Sequence, residues 1–364
     1  MRQYTISVIP GDGIGTEVME QGLRVLSRLA DDHGDFGFDF VHYDWSCEYY
    51  TRTGRMMSED GIERLRDSDA ILLGAVGYPG VPDHVSLREL LVKIRQEFDQ
   101  YVNYRPCVLL HDDDCPIKGK HAEDIDIGFV RENVEGEYSG LGGRMRTGTP
   151  DEAVIQSSLF TRKNTEKVMR WAFDLARSRS DDRRRKGRKS YSKLTSATKS
   201  NALNYSMVFW DECFAEVGQS YPDVATEQFH VDALSMYLVQ RPEDFDVIVA
   251  SNLFGDILTD LGAVLQGGLG FAAGGNLNPE KTYPSMFEPV HGSAPNIAGQ
   301  GIANPIAMIW TVKLLLDFLG FEEAGSRILE AIRTVVTKNR LALTPDIGGS
   351  GSTADAGDLI LAAL

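Results

Sequence analysis

The chain is short of cysteine and of positive charge, and it has no long apolar run. Each shortage excludes something. Its four cysteines, at positions 47, 107, 115 and 213, form no CxxC pair and have no histidines at zinc spacing. Neither a disulfide framework nor a structural zinc site is expected, and a reduced, cytoplasmic setting is. No apolar stretch reaches the roughly 18 residues needed to span a bilayer. The start at Met1 lacks the basic, apolar and small-residue sections of a signal peptide, so no membrane partner is expected. Lys and Arg number 37 against 53 Asp and Glu, a net charge of −16. Polyanions are repelled by such a balance, which excludes nucleic acid as the expected partner unless basic residues cluster. One run does cluster them: Arg183, Arg184, Arg185, Lys186, Arg188 and Lys189. It reads as a solvated loop between a helix and a strand, and the alternative is a non-catalytic binding protein that uses this run to hold RNA or an acidic partner.

What is present is an ordinary globular composition, 42% hydrophobic and 25% charged over 364 residues. That length exceeds what one compact core usually serves, so two domains are the default. Strand-like runs at 4–9, 69–76 and 246–251 alternate with helical spacing at 16–30, 86–99, 161–178, 201–217, 232–240, 256–265, 305–319 and 323–336. Strand, loop and helix in repetition predict an α/β fold with a largely parallel sheet. Residues 133–158 differ, with glycines at 136, 140, 142, 143 and 148 among alternating polar residues. They predict an extended hairpin or arm suited to association.

In such a fold chemistry belongs in the loops at the carboxyl ends of strands. There SNLFGDILTDLG (251–262) carries Asp256 and Asp260, four apart and therefore on one helix face, where two hard oxygens suit Mg²⁺ or Mn²⁺. Solvated acids in a first helical turn are the plainer reading. Asp232 in HVDALSM could add a third carboxylate or cap its helix. Lys199 in TSATKSNAL (195–203) sits before a helix expected near Ser200 or Asn201; the helix dipole there would lower its pKa and make it a candidate general base. Arg95, Arg105 and Arg131, if they converge, would hold a carboxylate or phosphate by bidentate pairing. Tyr138 is a phenol able to protonate a carbanion. PGDGIG (10–15) does not have the GxGxxG spacing and does not support a Rossmann assignment. FEPVHGSAPNIAGQGIANP (287–305), with His291, Gly292 and Asn304, is a plausible nucleotide cradle.

Together these motifs resemble the metal-dependent β-decarboxylating dehydrogenases of the isopropylmalate and isocitrate dehydrogenase family, from PGDGIG to TPDIGGSGST (344–353). EFDQYVNYRP, RENVEGEYSGLGGR, TSATKSN and SNLFGDILTDLG are most similar to the branch acting on tartrate and D-malate. Glu89 and Leu91 stand where isocitrate enzymes usually carry Ser and Asn. The resemblance implies a two-domain isopropylmalate dehydrogenase-like fold, not Rossmann, with 1–100 plus 267–364 forming the cofactor side and 101–266 the substrate and dimerisation domain. It implies a homodimer with shared active sites: Asp256 and Asp260 as metal ligands with Asp232 of the partner subunit, and Lys199 contributed across the dimer. Arg95, Arg105 and Arg131 would hold the departing carboxylate of a dicarboxylate substrate, with Tyr138 and Lys199 handling protons. His291, Gly292, Ser293, Ala294, Asn296 and Asn304 would bind the adenosine half of NAD. Asn296 replaces the Asp common in NAD-using members, and Ile297 follows it where NADP-using isocitrate enzymes carry Tyr. The implied cofactors are NAD with Mn²⁺ or Mg²⁺, and a monovalent cation such as K⁺ in addition. The implied reaction oxidises tartrate or D-malate, taking D-malate to pyruvate and CO₂; 3-isopropylmalate is the rival substrate.

Overall fold

The structure, a computed structural model, describes residues 2–122, 124–185 and 191–364. The chain divides into two compact units. Unit 1 holds the residues up to Gln100, Arg105–Ile125 and Ala263–Leu364, and unit 2 holds Tyr101–Tyr104 and Asp126–Gly262.

Unit 1 begins with β1 (Arg2–Gly11), α1 (Ile14–His33), β2 (Phe36–His42), α2 (Cys47–Thr53), α3 (Gly61–Arg66), β3 (Ala70–Ala75), α4 (Asp83–Ser86) and α5 (Lys93–Glu97). The division falls within β4 (Val102–Val108). β3 is buried at every position, as an almost wholly apolar strand covered on both faces should be. α1 buries Val18, Met19, Gly22, Val25, Leu26 and Leu29 at helical spacing, and Gly34 ends it in the left-handed conformation, φ 70°, which glycine adopts without strain. PGDGIG turns the chain from β1 into α1. A Cβ at Gly11 would lie 1.9 Å from the Ala75 carbonyl oxygen, so that close approach requires glycine.

Between α4 and α5 the expected regular helix is interrupted. Leu87–Val92 forms a π-helical turn, which periodicity alone cannot reveal because one extra residue per turn leaves the apolar count unchanged.

Unit 2 contains β5 (Asp126–Glu132), β6 (Gly142–Met145), β7 (Ala153–Gln156), α6 (Arg162–Arg185), β8 (Lys193–Thr198), α7 (Ser206–Gly218), β9 (Ala225–His230), α8 (Val231–Gln240), β10 (Val247–Ala250) and all but the last turn of α9 (Asn252–Leu265). Its strands run β5-β10-β8-β9, each pair parallel. β6 and β7 pair antiparallel as a separate ribbon, the hairpin within 133–158, with Leu141, Met145, Val154 and Ile155 exposed.

The basic run requires a correction. α6 continues to Arg185, so Arg183, Arg184 and Arg185 are helical and not part of a solvated loop. Arg179 and Arg183 donate to Asp246 at 2.8 and 2.6 Å. Asp246 is wholly buried, and a buried carboxylate needs such countercharge. Arg177 pairs with Asp223, Arg184 with Asp181 and Arg185 with Asp182. Lys186, Arg188 and Lys189 lie outside the described residues.

The chain returns to unit 1 with β11 (Ala273–Leu277), β12 (Ser285–Pro289), α10 (Ile306–Leu319), α11 (Glu322–Lys338) and α12 (Thr353–Ala363). Strand order in this unit is β2-β1-β3-β12-β11, parallel except for the β11/β12 pair. The core gathers Ile9, Trp45, Leu65, Ile71, Leu73, Phe98 and Met286. α10 is buried from Ile306 to Val312. Among the described residues no helix is long and apolar enough to cross a membrane, and all four cysteines are free.

Candidate active site

The densest functional geometry in unit 2 forms where β5 and β10 end. Arg131 is the penultimate residue of β5, and its side chain is 2% exposed. Its Nε and Nη2 donate to Asn252 Oδ1 at 3.1 and 2.7 Å, and its Nη1 donates to Asp256 Oδ1. Tyr138 Oη donates to Asp256 Oδ2 at 2.9 Å, and the guanidinium lies 5.3 Å from the Tyr138 ring centroid. Arg131, Tyr138 and Asp256 are thus brought together. The approach of α9 depends on Gly255, where a Cβ would sit 2.6 Å from the Arg131 Cβ and Cγ.

Three carboxylates hold the chain between Arg131 and Tyr138. Glu132 is fully buried, and its Oε1 accepts from the backbone of Val134 and Glu135 at 2.8 Å each and from Asn164 Nδ2 at 2.9 Å. Burial pushes its carboxyl above the ordinary range, against the pull of those donors. Glu135 accepts from the Thr161 backbone and hydroxyl. Glu137 accepts from the Leu253 N–H at 3.1 Å, satisfying a free donor in the first turn of α9 with a charge that complements the helix dipole. Sequence reading missed these residues and Asn252. The alternation of acids in RENVEGEY was the available signal, yet surface acids produce the same pattern.

Asp256 lies in the second turn of α9, because the helix starts at Asn252 and not at 256 as the periodicity implied. Asp260 lies one turn further along and is exposed. Lys199 differs from the expectation in its setting. α7 begins at Ser206, and the backbone N–H groups of Ala202 and Leu203 fold back onto the Lys199 carbonyl at 3.0 and 2.9 Å. Lys199 therefore does not face a helix N-terminus, and the helix dipole expected there is absent. It instead follows β8 directly and donates to Asp232 Oδ1 at 2.7 Å. That lysine holds the Asp232 carboxyl below its ordinary value. Among the described residues no three His, Cys, Asp or Glu side chains converge to hold a metal ion.

In unit 1, Arg95 is buried on α5 and donates to Glu288 Oε1 at 2.5 Å, which also accepts from Asn276 at 2.9 Å. Arg95 keeps a buried Nε–H without a hydrogen-bond partner. Arg105, on β4, lays its Cγ beside Gly274. The cradle segment follows β12. His291 Nδ1 lies 3.0 Å from the Gly292 carbonyl oxygen, and its buried Nε2 has no partner. Burial holds this imidazole below its ordinary pKa; the neutral ring donates through Nδ1 and leaves Nε2 as an open acceptor. Asn296 is exposed, Ser293 is buried, and Ala294 takes a positive φ of 40°. Asn304 works inward: its Nδ2 donates to Asp346 at 2.9 Å and its Oδ1 accepts from the Ile306 N–H at 3.0 Å, so its side chain closes the loop onto α10.

With this geometry established, the chain belongs to the isocitrate/isopropylmalate dehydrogenase family, whose model matches residues 5–360. It is an oxidoreductase acting on a hydroxy acid. Over 365 residues it is 49% identical to a probable tartrate dehydrogenase/decarboxylase of Bacillus subtilis, covering 100% of this chain and 99% of that one. It is 50% identical to D-malate dehydrogenase (decarboxylating) of Escherichia coli over 99% of this chain and 98% of that one. A crystal structure of isocitrate dehydrogenase from Methylococcus capsulatus matches with a TM-score of 0.84 and 32% identity, covering 99% of each chain.

Proposed function

We propose that this protein is a homodimeric, NAD-linked, Mn²⁺- or Mg²⁺-dependent dehydrogenase that oxidises tartrate or D-malate and decarboxylates the product of D-malate to pyruvate and CO₂. The observation that carries the reading is the Arg131–Asp256–Tyr138 cluster: a cation for a carboxylate, a hard oxygen for a metal and a phenolic proton, all within direct contact. The substrate names come from the relatives at 49% and 50% identity.

Both cofactors fit the residues present. Asp256 and Asp260 offer two hard oxygens one turn apart, and Asp232 of the partner subunit is assigned as the third donor. The pairing of Lys199 with Asp232 at 2.7 Å means that a subunit lending one lends both. Exposed apolar residues support the dimer: Leu253 and Ile257 on α9, Met236 and Val239 on α8, and the ribbon residues Leu141, Met145, Val154 and Ile155. For NAD, the open acceptor of His291 Nε2 suits an adenine amine or a ribose hydroxyl, beside Gly292, where a Cβ would meet nothing within 4 Å. Asn296 supplies an exposed amide for the ribose. A monovalent cation such as K⁺ remains part of the expectation, as does a cytoplasmic setting, which the free cysteines favour.

When bound, NAD accepts the hydride and the divalent ion withdraws negative charge from the substrate's hydroxyl and keto oxygens. Arg131 would orient the carboxylate that leaves. Lys199, acting as a neutral amine, would take the hydroxyl proton as the carbon gives up hydride to the bound NAD. Tyr138 then delivers a proton to the carbon from which CO₂ departs, and its contact with Asp256 keeps the phenol aimed.

The test is NADH formation from D-malate, tartrate and 3-isopropylmalate, each with NAD and with NADP and with Mn²⁺ present. Preference for either of the first two with NAD is the expected result. A dominant rate on 3-isopropylmalate, or no metal-dependent NAD reduction at all, would overturn the reading.

A further inference from the structure

PGDGIG is not a dinucleotide fingerprint, yet it is built against the segment assigned to the cofactor. The Ile14 N–H donates to the Ser293 carbonyl at 2.9 Å. A Cβ at Gly13 would lie 2.1 Å from that same oxygen, so Gly13 allows the two backbones to meet. Three residues on, Glu17 in the first turn of α1 reaches the far end of the segment. Its Oε1 accepts from the Gly299 N–H at 2.6 Å and its Oε2 from the Gly301 N–H at 3.0 Å. Both glycines hold left-handed φ values, 75° and 65°. Two N–H groups that such a backbone presents to the two oxygens of one carboxylate form an anion-binding concavity, and here Glu17 of the chain itself occupies it.

We infer that Glu17 is a positioning residue for the cofactor: it clamps the 296–301 turn so that Asn296 is presented in its binding geometry before any cofactor arrives. The inference rests on the reading of 291–304 as the NAD loop. The other ties along the segment are local or lie at its ends. Gln300 Nε2 donates to the Asn296 carbonyl at 2.9 Å, and the Thr353 N–H donates to the Gly301 carbonyl at 2.8 Å. Glu17 alone among these bonds takes both N–H groups with a charged acceptor, and charge-assisted bonds are about twice as strong as neutral ones. Without it the turn samples other conformations, and binding must then include ordering it. Because the carboxylate fills the concavity, these two N–H groups are also unavailable to the cofactor's phosphates.

The experiment compares the full-length wild type with Glu17→Ala and Glu17→Gln. Hydrogen–deuterium exchange of peptides spanning 296–302, without cofactor, reads the clamp directly. Exchange about tenfold faster is expected in Glu17→Ala, with a smaller change in Glu17→Gln, which keeps one oxygen acceptor. NADH affinity by fluorescence and the KM for NAD are expected to worsen by about tenfold in Glu17→Ala with kcat within about twofold. Unchanged exchange in both variants overturns the clamp. Faster exchange with unchanged NADH affinity overturns its role toward the cofactor. A wild type that binds no NADH overturns the functional reading instead, while the exchange result still decides the clamp. Should Glu17→Ala not fold, Glu17→Gln carries the same comparison.

Discussion

Arg95 of unit 1 and Arg131 of unit 2 are both buried arginines whose sequence context implies carboxylate binding, but the two units give them different partners. Arg95 faces Glu288, and the two side chains are 6% and 7% exposed; Asn276 holds the same carboxylate. Arg131 is 2% exposed, but its partner Asp256 is 35% exposed and shared with Tyr138. The first pair is closed, so its charge is already matched and one Nε–H remains for a ligand. The second pair is open on the carboxylate side, so a metal or substrate can reach Asp256 directly, while the buried guanidinium keeps its two bonds to Asn252. Burial of the partner, more than identity of the arginine, separates a guanidinium that braces a site from one that can exchange partners.

The sharpest way to break that contrast is to neutralise each carboxylate. Asp256→Asn is expected to lower kcat/KM by about 10³ or more while the fold survives, because its site is partly solvated; steady-state rates with Mn²⁺ beside a thermal melt would show it, and full activity would remove Asp256 from the metal site. Glu288→Gln should do the reverse in emphasis, destabilising by about 3–5 kcal/mol because Arg95 is left with an uncompensated buried charge; denaturant unfolding measures this, and a change under about 1 kcal/mol would mean that the pair is not closed. Tyr138→Phe is next, removing one hydrogen bond of about 1 kcal/mol and slowing decarboxylation by about 10² while hydride transfer is less affected. Comparing CO₂ release with NADH formation separates the two steps, and equal losses in both would defeat the proton-delivery role.

The smallest effect concerns Glu132, behind Arg131. Burial raises its carboxyl above the ordinary 4.5. The folded chain therefore binds this proton more tightly than the unfolded chain, and the stability gained is complete below the ordinary value and lost as pH rises through the folded one. Glu132→Gln cannot ionise, so its Tm relative to wild type should rise between acidic and alkaline pH. A difference that stays flat would show that the carboxylate is not penalised.

Much of this was legible because the residues carry it locally. The DxxxD spacing of Asp256 and Asp260 implied one helix face, and α9 supplies it. The glycines and alternation of 133–158 implied a ribbon, and β6 and β7 form one. Helix starts were less legible. Residues 201–205 have a helix-compatible apolar pattern, yet hydrogen-bonded turns fill this stretch before α7, so Lys199 precedes a turn and not a helix. Glu17, Glu137 and Glu288 were invisible for another reason. Each acts on groups remote in sequence, 282 residues away for Glu17 and Gly299, and nothing local distinguishes such an acid from a solvated one.

The π turn at Leu87–Val92 leaves a mark on everything after it. One residue inserted into an otherwise regular helix rotates all later side chains by about 100° around the axis. Arg95 begins three residues beyond that turn, so its direction is set by a counting irregularity and not by the identity of its neighbours. Shortening 87–92 by one residue would restore a regular spiral and leave every downstream residue chemically unchanged, yet it would swing the arginine away from Glu288. In this stretch of chain, position is encoded by length.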